Sequence, residues 1–400
     1  MIESEEGIKH GKASAIISAV IFVALSFAVI CLACFAYLKK QGVDIGSVSF
    51  KDLLDGRLYT RSQENGGKNA FSIGYELKEH PVFILHRNYI VKCTKDTIKG
   101  LDKKGQEKWN IPVSIENPIV KVSSGYFLVA DEGGKEIDLV YDTSLKWSKK
   151  LENSIINADI SDSGYVTIIH ESKGYKGTVS VFNPQGDLLF TRYIGENFPV
   201  LAKISPSGNT VVIDSIDATG AFASASLEFV NRYGKPFAKV TKEDMILSSL
   251  WYLEDDSIAA AGNSSLFLFD REGQQKWQHD FKGGKVYSLC VAMGKYVVVA
   301  SGGGVSVGAQ ESAGGKAVVE IINSSGKLVS SYLADREVVN LEAYGDRIAV
   351  NCGRKVYFIN LRGKLINQFS PPADILRVYF FNKQQAAVIT KNSVTVFEIG

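Results

Sequence analysis

Two eight-residue stretches place residues that could do chemistry at a repeated spacing. DKKGQEKW (102–109) and DREGQQKW (270–277) both read Asp, two residues, Gly, three residues, Trp. A carboxylate held at a fixed distance from an indole could serve as an acid–base group beside a binding surface. Other candidates are thinner. The five histidines, His10, His80, His86, His170 and His279, show no metal-ligand spacing. GGGVSVG (302–308) lacks the Gly-x-x-x-x-Gly-Lys-Ser/Thr pattern, and no helix pattern follows it to receive an anion. No Ser/His/Asp set declares itself. Cys93, Cys290 and Cys352 are odd in number, widely spaced and set in apolar runs, which makes them core residues rather than a disulfide framework or a metal site. No catalytic residue, metal ligand or cofactor is assigned on these grounds.

What must position the two stretches is a repeat. An Asp or Asn follows an apolar run and Gly comes three residues later at Asp102/Gly105, Asn183/Gly186, Asn231/Gly234, Asp270/Gly273, Asn323/Gly326 and Asn360/Gly363. A seventh copy, Asp142, lacks the Gly and reaches Trp147 sooner. Successive Asp/Asn positions are 40, 41, 48, 39, 53 and 37 residues apart. A second landmark, a turn followed by a small apolar strand, keeps the same phase through eight copies, from RNYIVKC (87–93) to QQAAVITK (384–391). Residues 198–241 show the unit in full: VLAKIS, a turn, TVVIDS, a loop, SLEFVN, a second turn and KPFAKVT. Four antiparallel strands at a forty-residue period predict a β-propeller blade. The eighth unit ends after three strands, at VTVFEI (394–399), while FSIGYEL (71–77) is a strand without a blade of its own. Setting that strand beside VTVFEI predicts an all-β, eight-bladed propeller over residues 70–400, with seven blades as the runner-up.

In this reading the repeated residues are structural. Asp or Asn bonds backbone N–H groups at the turn, and Gly supplies a positive φ. Trp109, Trp147 and Trp277 bury rings against the neighbouring blade, with an N–H that needs a partner.

Ahead of the repeat lies Ala13–Leu38, 26 residues without a charge, long enough to cross a bilayer of about 30 Å. The expected organisation is a tail (1–12), a transmembrane helix (13–38), a juxtamembrane linker (39–69) and the propeller. Lys9 and Lys12 flank the span on one side, Lys39 and Lys40 on the other, so charge does not settle orientation. A short tail before a large folded domain reads as an uncleaved signal anchor. The expectation is a single-pass cell-membrane protein with its propeller extracytoplasmic. A net charge of +2 offers no basic surface for nucleic acid.

With Asp102, Gly105 and Trp109, and again Asp270, Gly273 and Trp277, the repeat resembles the quinoprotein-type (PQQ-like) propeller, built on an Asp-x-x-Gly-x-x-x-Trp turn in eight blades. The spacing covers about 80–400, but only those two units carry the full motif. Elsewhere the Trp place holds Phe190, shifts to Phe237, or is polar at Ser330 and Asn367. The whole chain also resembles uncharacterised single-pass envelope proteins of Gram-positive bacteria. The resemblance implies a fold that serves redox enzymes and non-catalytic assembly or binding proteins alike. A quinone enzyme would need metal-binding carboxylates and basic groups converging on the funnel, and no local signature selects them. SDSGYVT (161–167) is similar to the sialidase Asp box, but its spacing differs and no Trp ends it.

The remaining candidates are the loops joining second to third strands and blade to blade, which emerge on one face. They include ESKGYKG (171–177), SIDATGAFASA (215–225), SGGGVSVGAQESAGGKA (301–317), ENF (196–198), KED (242–244) and DRE (335–337). Tyr175, Lys176, Phe198, Arg336 and Glu337 are the expected binding residues. The function expected is a membrane-anchored, non-catalytic binding or scaffold module of the cell envelope with a protein, peptide or cell-wall partner. The alternative is a propeller enzyme, a quinone-cofactor oxidoreductase or a glycan hydrolase or lyase, using funnel carboxylates.

Overall fold

The computed structural model describes residues 59–60, 71–281, 284–302 and 316–399. The expected span Ala13–Leu38 and most of the Gly-rich loop 301–317 lie outside them. Among the described residues no helix is long and apolar enough to cross a membrane. The chain divides into two compact units, one of Met1–Glu64 with Phe71–Gly74, the other of Asn65–Ala70 with Tyr75–Gly400. In the first, strands Tyr59–Thr60 and Phe71–Gly74 pair antiparallel, Tyr59 opposite Ile73.

The second unit is an eight-bladed propeller. Seven four-stranded antiparallel sheets follow in sequence, beginning at Val82, Pro118, Ile155, Phe198, Ser249, Lys285 and Asn340. The eighth blade draws Ile375–Asn382, Gln385–Thr390 and Ser393–Glu398 from the end of the chain. The innermost strand of each blade touches that of the next, and Ile375–Asn382 returns to Val82–His86 of blade 1, which closes the ring. FSIGYEL is a strand only over Phe71–Gly74. Its continuation meets the last blade as expected: the Tyr75 N–H donates to the Asn392 carbonyl (3.1 Å) and the Tyr75 hydroxyl to the Thr390 carbonyl. The Tyr75 ring packs 4.6 Å from that of Phe83 in blade 1, tying the two ends of the ring.

Burial along each blade follows from its neighbours. The second and third strands are covered on both faces by adjacent blades, and most of their residues are apolar or small, interrupted by single polar residues such as Asp138, His170 and Asp214. Val166–His170, Gly177–Phe182, Ile258–Ala261 and Ser265–Phe269 are buried at every position. A sheet covered on both faces needs this continuous pattern. The outermost strands are covered on one face only and alternate, as in Gln275–Asp280 and Leu328–Ala334. This leaves apolar clusters between successive blades, such as Val212, Leu227, Phe229, Ile258 and Phe267 between blades 4 and 5.

The repeated motif joins one blade to the next. At all six Asp/Asn-x-x-Gly turns the side-chain oxygen accepts two backbone N–H bonds, two and four residues on. At Asp270 these come from Glu272 (3.1 Å) and Gln274 (2.8 Å), at Asn323 from Ser325 (3.1 Å) and Lys327 (2.9 Å). The Gly takes a positive φ, +78° to +90° in five turns and +70° at Gly363. At Gly186, Gly234 and Gly326 it also lies under the residue at the Trp place of the preceding blade. A Cβ at Gly326 would stand 2.9 Å from the Trp277 ring, one at Gly186 3.0 Å from Trp147, and one at Gly234 2.9 Å from Phe190. Trp277 Nε1 donates to the Ser324 carbonyl (3.1 Å) and Trp147 Nε1 to the Pro184 carbonyl (3.3 Å), each inside the next blade's turn.

The degraded copies keep the connection by other means. Ser330 Oγ donates to the Leu361 carbonyl (2.8 Å) and Asn367 Nδ2 to the Ile399 carbonyl (2.7 Å), replacing the indole with a shorter donor. Two expectations change. Phe237 does not take the Trp place: it is 48% exposed, and Ala238 is the residue that meets Gly273. Trp109 does not donate across blades: its ring lies over Gly100 and beside Phe127, and Nε1 has no partner among the described residues. The reason is the next turn. Asp142–Thr143 is a two-residue hairpin, with Asp142 at φ +58°, and its carboxylate pairs with Arg87 of blade 1 (3.1 Å). The shorter hairpin nonetheless delivers Trp147 to its place through a bulge between Leu145 and Trp147.

Candidate functional site

The Asp/Asn-Gly turns occupy the face opposite the long loops, because in an antiparallel blade third-to-fourth-strand turns and second-to-third-strand loops leave from opposite ends. Function therefore has to be sought away from the motif, on the loop face or in the central channel.

On the loop face the structure brings three expected residues together. Tyr175 closes the loop between Val166–His170 and Gly177–Phe182, its N–H donating to the Ser172 carbonyl (3.2 Å). Lys176 continues the sheet by an N–H bond to the Ile194 carbonyl (2.8 Å). Phe198 opens the inner strand of blade 4, opposite Ile216. Lys176 Nζ sits 4.6 Å from the centre of the Phe198 ring, and the Tyr175 ring packs 4.9 Å from that of Tyr193. Tyr175, Tyr193 and Phe198 are 49%, 53% and 46% exposed, so this is an open aromatic and cationic patch. Beneath it blades 3 and 4 approach closely: a Cβ at Gly177 would meet the Pro199 ring at 2.6 Å. Phe222, on the neighbouring loop of blade 4, is 70% exposed. Sequence reading missed Tyr193, which lies at the exposed edge of an outer strand, and only that strand's register shows that it meets Tyr175.

Arg336 and Glu337 do not join this cluster. They lie on the link between blades 6 and 7, three blades further round, where Tyr287 Oη donates to Glu337 Oε1 (3.3 Å). The Arg336 charge acts on Cys352.

The channel holds groups from blades on both sides of the ring. Asp159 on the inner strand of blade 3 pairs with Lys203 on that of blade 4, and Lys203 Nζ also lies 5.5 Å from the Trp251 ring centre in blade 5. Lys121 of blade 2 is exposed, and its pKa is lowered by desolvation from the surrounding protein; the charges of Asp159, Lys203 and Arg377 all reach it. Arg377 in blade 8 also acts on Glu342 of blade 7, whose carboxyl is pushed up to about 7 by burial. Among the described residues no group of three or more His, Cys, Asp and Glu side chains could hold a metal ion. Cys93, Cys290 and Cys352 are buried free thiols, the first and last raised to about 12 by desolvation, which suppresses thiolate chemistry.

These features define an eight-bladed β-propeller with charged side chains on its inner strands. The chain belongs to the DUF5711 family, a family of unknown function, whose model matches residues 78–399. Among solved structures it is similar to BamB from Moraxella catarrhalis, at 14% identity and a TM-score of 0.51, over 82% of this chain and 98% of that one. It is also similar to Chaetomium thermophilum Sqt1 bound to the N-terminus of the ribosomal protein L10, at 12% identity and a TM-score of 0.53, over 82% of this chain and 93% of that one. Both likenesses are of fold. No curated protein matches the chain.

Proposed function

We propose that this protein is a membrane-tethered, non-catalytic propeller of the cell envelope that binds a protein or peptide partner on its loop face. The uncharged run 13–38 supplies the tether, and the propeller stands outside the membrane. The observation that carries the binding reading is the open patch of Tyr175, Tyr193, Phe198 and Lys176 on a braced edge between blades 3 and 4. Aromatic residues present large contact area at low entropic cost and are enriched among the residues that dominate binding energy. A peptide complex of a propeller of this shape, that of Sqt1, supports the mode of recognition. The blades contribute rigidity and the tether contributes local concentration.

The test is co-purification of the full chain from its native membrane. The double variant Tyr175→Ala, Phe198→Ala should lose a partner that the wild type retains. Tyr233→Ala, on the opposite face and 80% exposed, should keep it. Equal retention by both variants contradicts the assignment. Protease added to intact wall-stripped cells should digest the propeller, and protection until lysis contradicts the outward orientation.

A further inference from the structure

The outer strands of blades 1 to 7 each end their sheet, so among the described residues one side of each backbone pairs with no strand. An open edge of this kind pairs with another strand unless charge, proline or shortness prevents it. Blades 1 to 5 carry such devices. Glu107–Pro112 has Glu107, Lys108 and a terminal proline, Ser144–Lys150 three lysines, and Leu188–Ile194 Arg192. Pro236–Lys242 has a proline and two lysines, and Gln275–Asp280 has Lys276 and Asp280. The outer strand of blade 7 is short, with only Asn367, Gln368 and Phe369 in register beyond its bulge. Blade 6 has none of these. Its outer strand Leu328–Ala334, LVSSYLA, is uncharged, and Ser330 to Ala334 stay in register with the third strand beyond a bulge at Val329. Leu328, Val329 and Leu333 are 47%, 46% and 58% exposed along it.

We propose that this edge pairs with the same edge of a second copy of the chain, the two strands antiparallel about a two-fold axis at Ser331. The strand is complementary to itself in that arrangement. Ser331 meets Ser331, Ser330 meets Tyr332, and Val329 of each copy comes to Leu333 of the other, which covers apolar surface that is open in the single chain. The charges that bound the strand are opposite in sign. Lys327 precedes it and Asp335 follows it, both exposed, so each end of the pairing brings the lysine of one copy to the aspartate of the other. The Tyr357 hydroxyl donates to the Asp335 carboxylate, which holds that group at the strand end and leaves acceptor sites for Lys327. A foreign strand would have to bring the same two charges in the matching order, whereas a second copy supplies them by symmetry.

The experiment follows the full chain in detergent by sedimentation velocity from about 1 to 100 μM, where an interface this small should show a monomer–dimer equilibrium. The double variant Val329→Lys, Leu333→Lys sets like charges against each other across the axis and should weaken association at least about tenfold. Gln278→Lys, on the outer strand of blade 5, should leave it unchanged, so the two variants also separate pairing at blade 6 from any association through residues 13–38. In native membranes under mild oxidant, Ser331→Cys should form a disulfide-linked dimer above the wild-type level, and Gln278→Cys should not. This cross-link decides the matter if the lysine variant lacks the wild-type circular dichroism spectrum. A monomer at every concentration, undiminished association of the folded lysine variant, or no added dimer from Ser331→Cys each overturns the proposal. An adduct of Ser331→Cys with a different protein in place of the dimer would assign the edge to a foreign strand and overturns it as well.

Discussion

Replacing Asp214 with Asn should stabilise the propeller at neutral and alkaline pH and leave its stability unchanged near pH 4. Asp214 lies on Thr210–Asp217, between Leu201 and Leu227 on the flanking strands. It is fully buried, and neither carboxylate oxygen has a partner among the described residues. Desolvation pushes its pKa up from 3.8 to about 7. The folded state therefore holds the proton more tightly than the unfolded chain does. Stability from this group is fully present below about pH 4, is lost as pH rises to about 7, and is level above that. The rise from 3.8 to about 7, at about 1.36 kcal/mol per pH unit, makes the loss on the order of 4 kcal/mol. Other groups titrate in the same window: burial pushes His86 down to about 4, which makes stability rise with pH, and Glu342 up to about 7, which makes it fall. Both cancel in the difference between wild type and variant. Urea unfolding followed by circular dichroism at about pH 4, 5.5, 7 and 8 measures that difference. A midpoint gain for the variant that grows across this range confirms an ionising, unpartnered carboxyl. A gain already present at pH 4, or none at pH 8, refutes the reasoning.

Two predictions test the connection between blades, both by urea unfolding. Gly326→Ala forces a positive φ on Ala and sets its Cβ against Trp277, and should cost about 2–4 kcal/mol; Gly174→Ala, at a similar φ with open space around it, should cost about 1–2 kcal/mol. Trp277→Phe removes the N–H bond to Ser324 and should cost about 1 kcal/mol more than Trp109→Phe, which removes an N–H with no partner among the described residues.

The fold was legible because the turns are local devices. Asp270 accepts bonds from residues only two and four positions away, and Gly273 takes a φ that few residues tolerate, so both leave a mark at fixed spacing. The meaning of the seventh residue after the Asp was only partly legible. Ser330 and Asn367 look like lost Trp positions, yet they keep the bond to the next blade, and the carbonyls they reach lie 31 and 32 residues away. Trp109 looks like a complete motif and lacks that bond, because the defect is in the next unit's shortened hairpin at Asp142. Of the binding residues, Tyr175, Lys176 and Phe198 were legible as loop positions, but their meeting depends on how blade 3 sits against blade 4. The channel charges left no local sign: Lys121, Lys203, Glu342 and Arg377 are each the one charged residue in four separated inner strands, and only ring closure brings them within range of one another.

The central claim is that the partner docks on the loop face between blades 3 and 4. It is tested most directly by site-specific photo-crosslinking in native cells, with the photoreactive residue placed at Phe198 or at Tyr233 of the full chain. A discrete, ultraviolet-dependent adduct from position 198, lost on Tyr175→Ala and absent from position 233, is the predicted result. An adduct from position 233 with none from 198 would place the partner on the turn face and contradict the account.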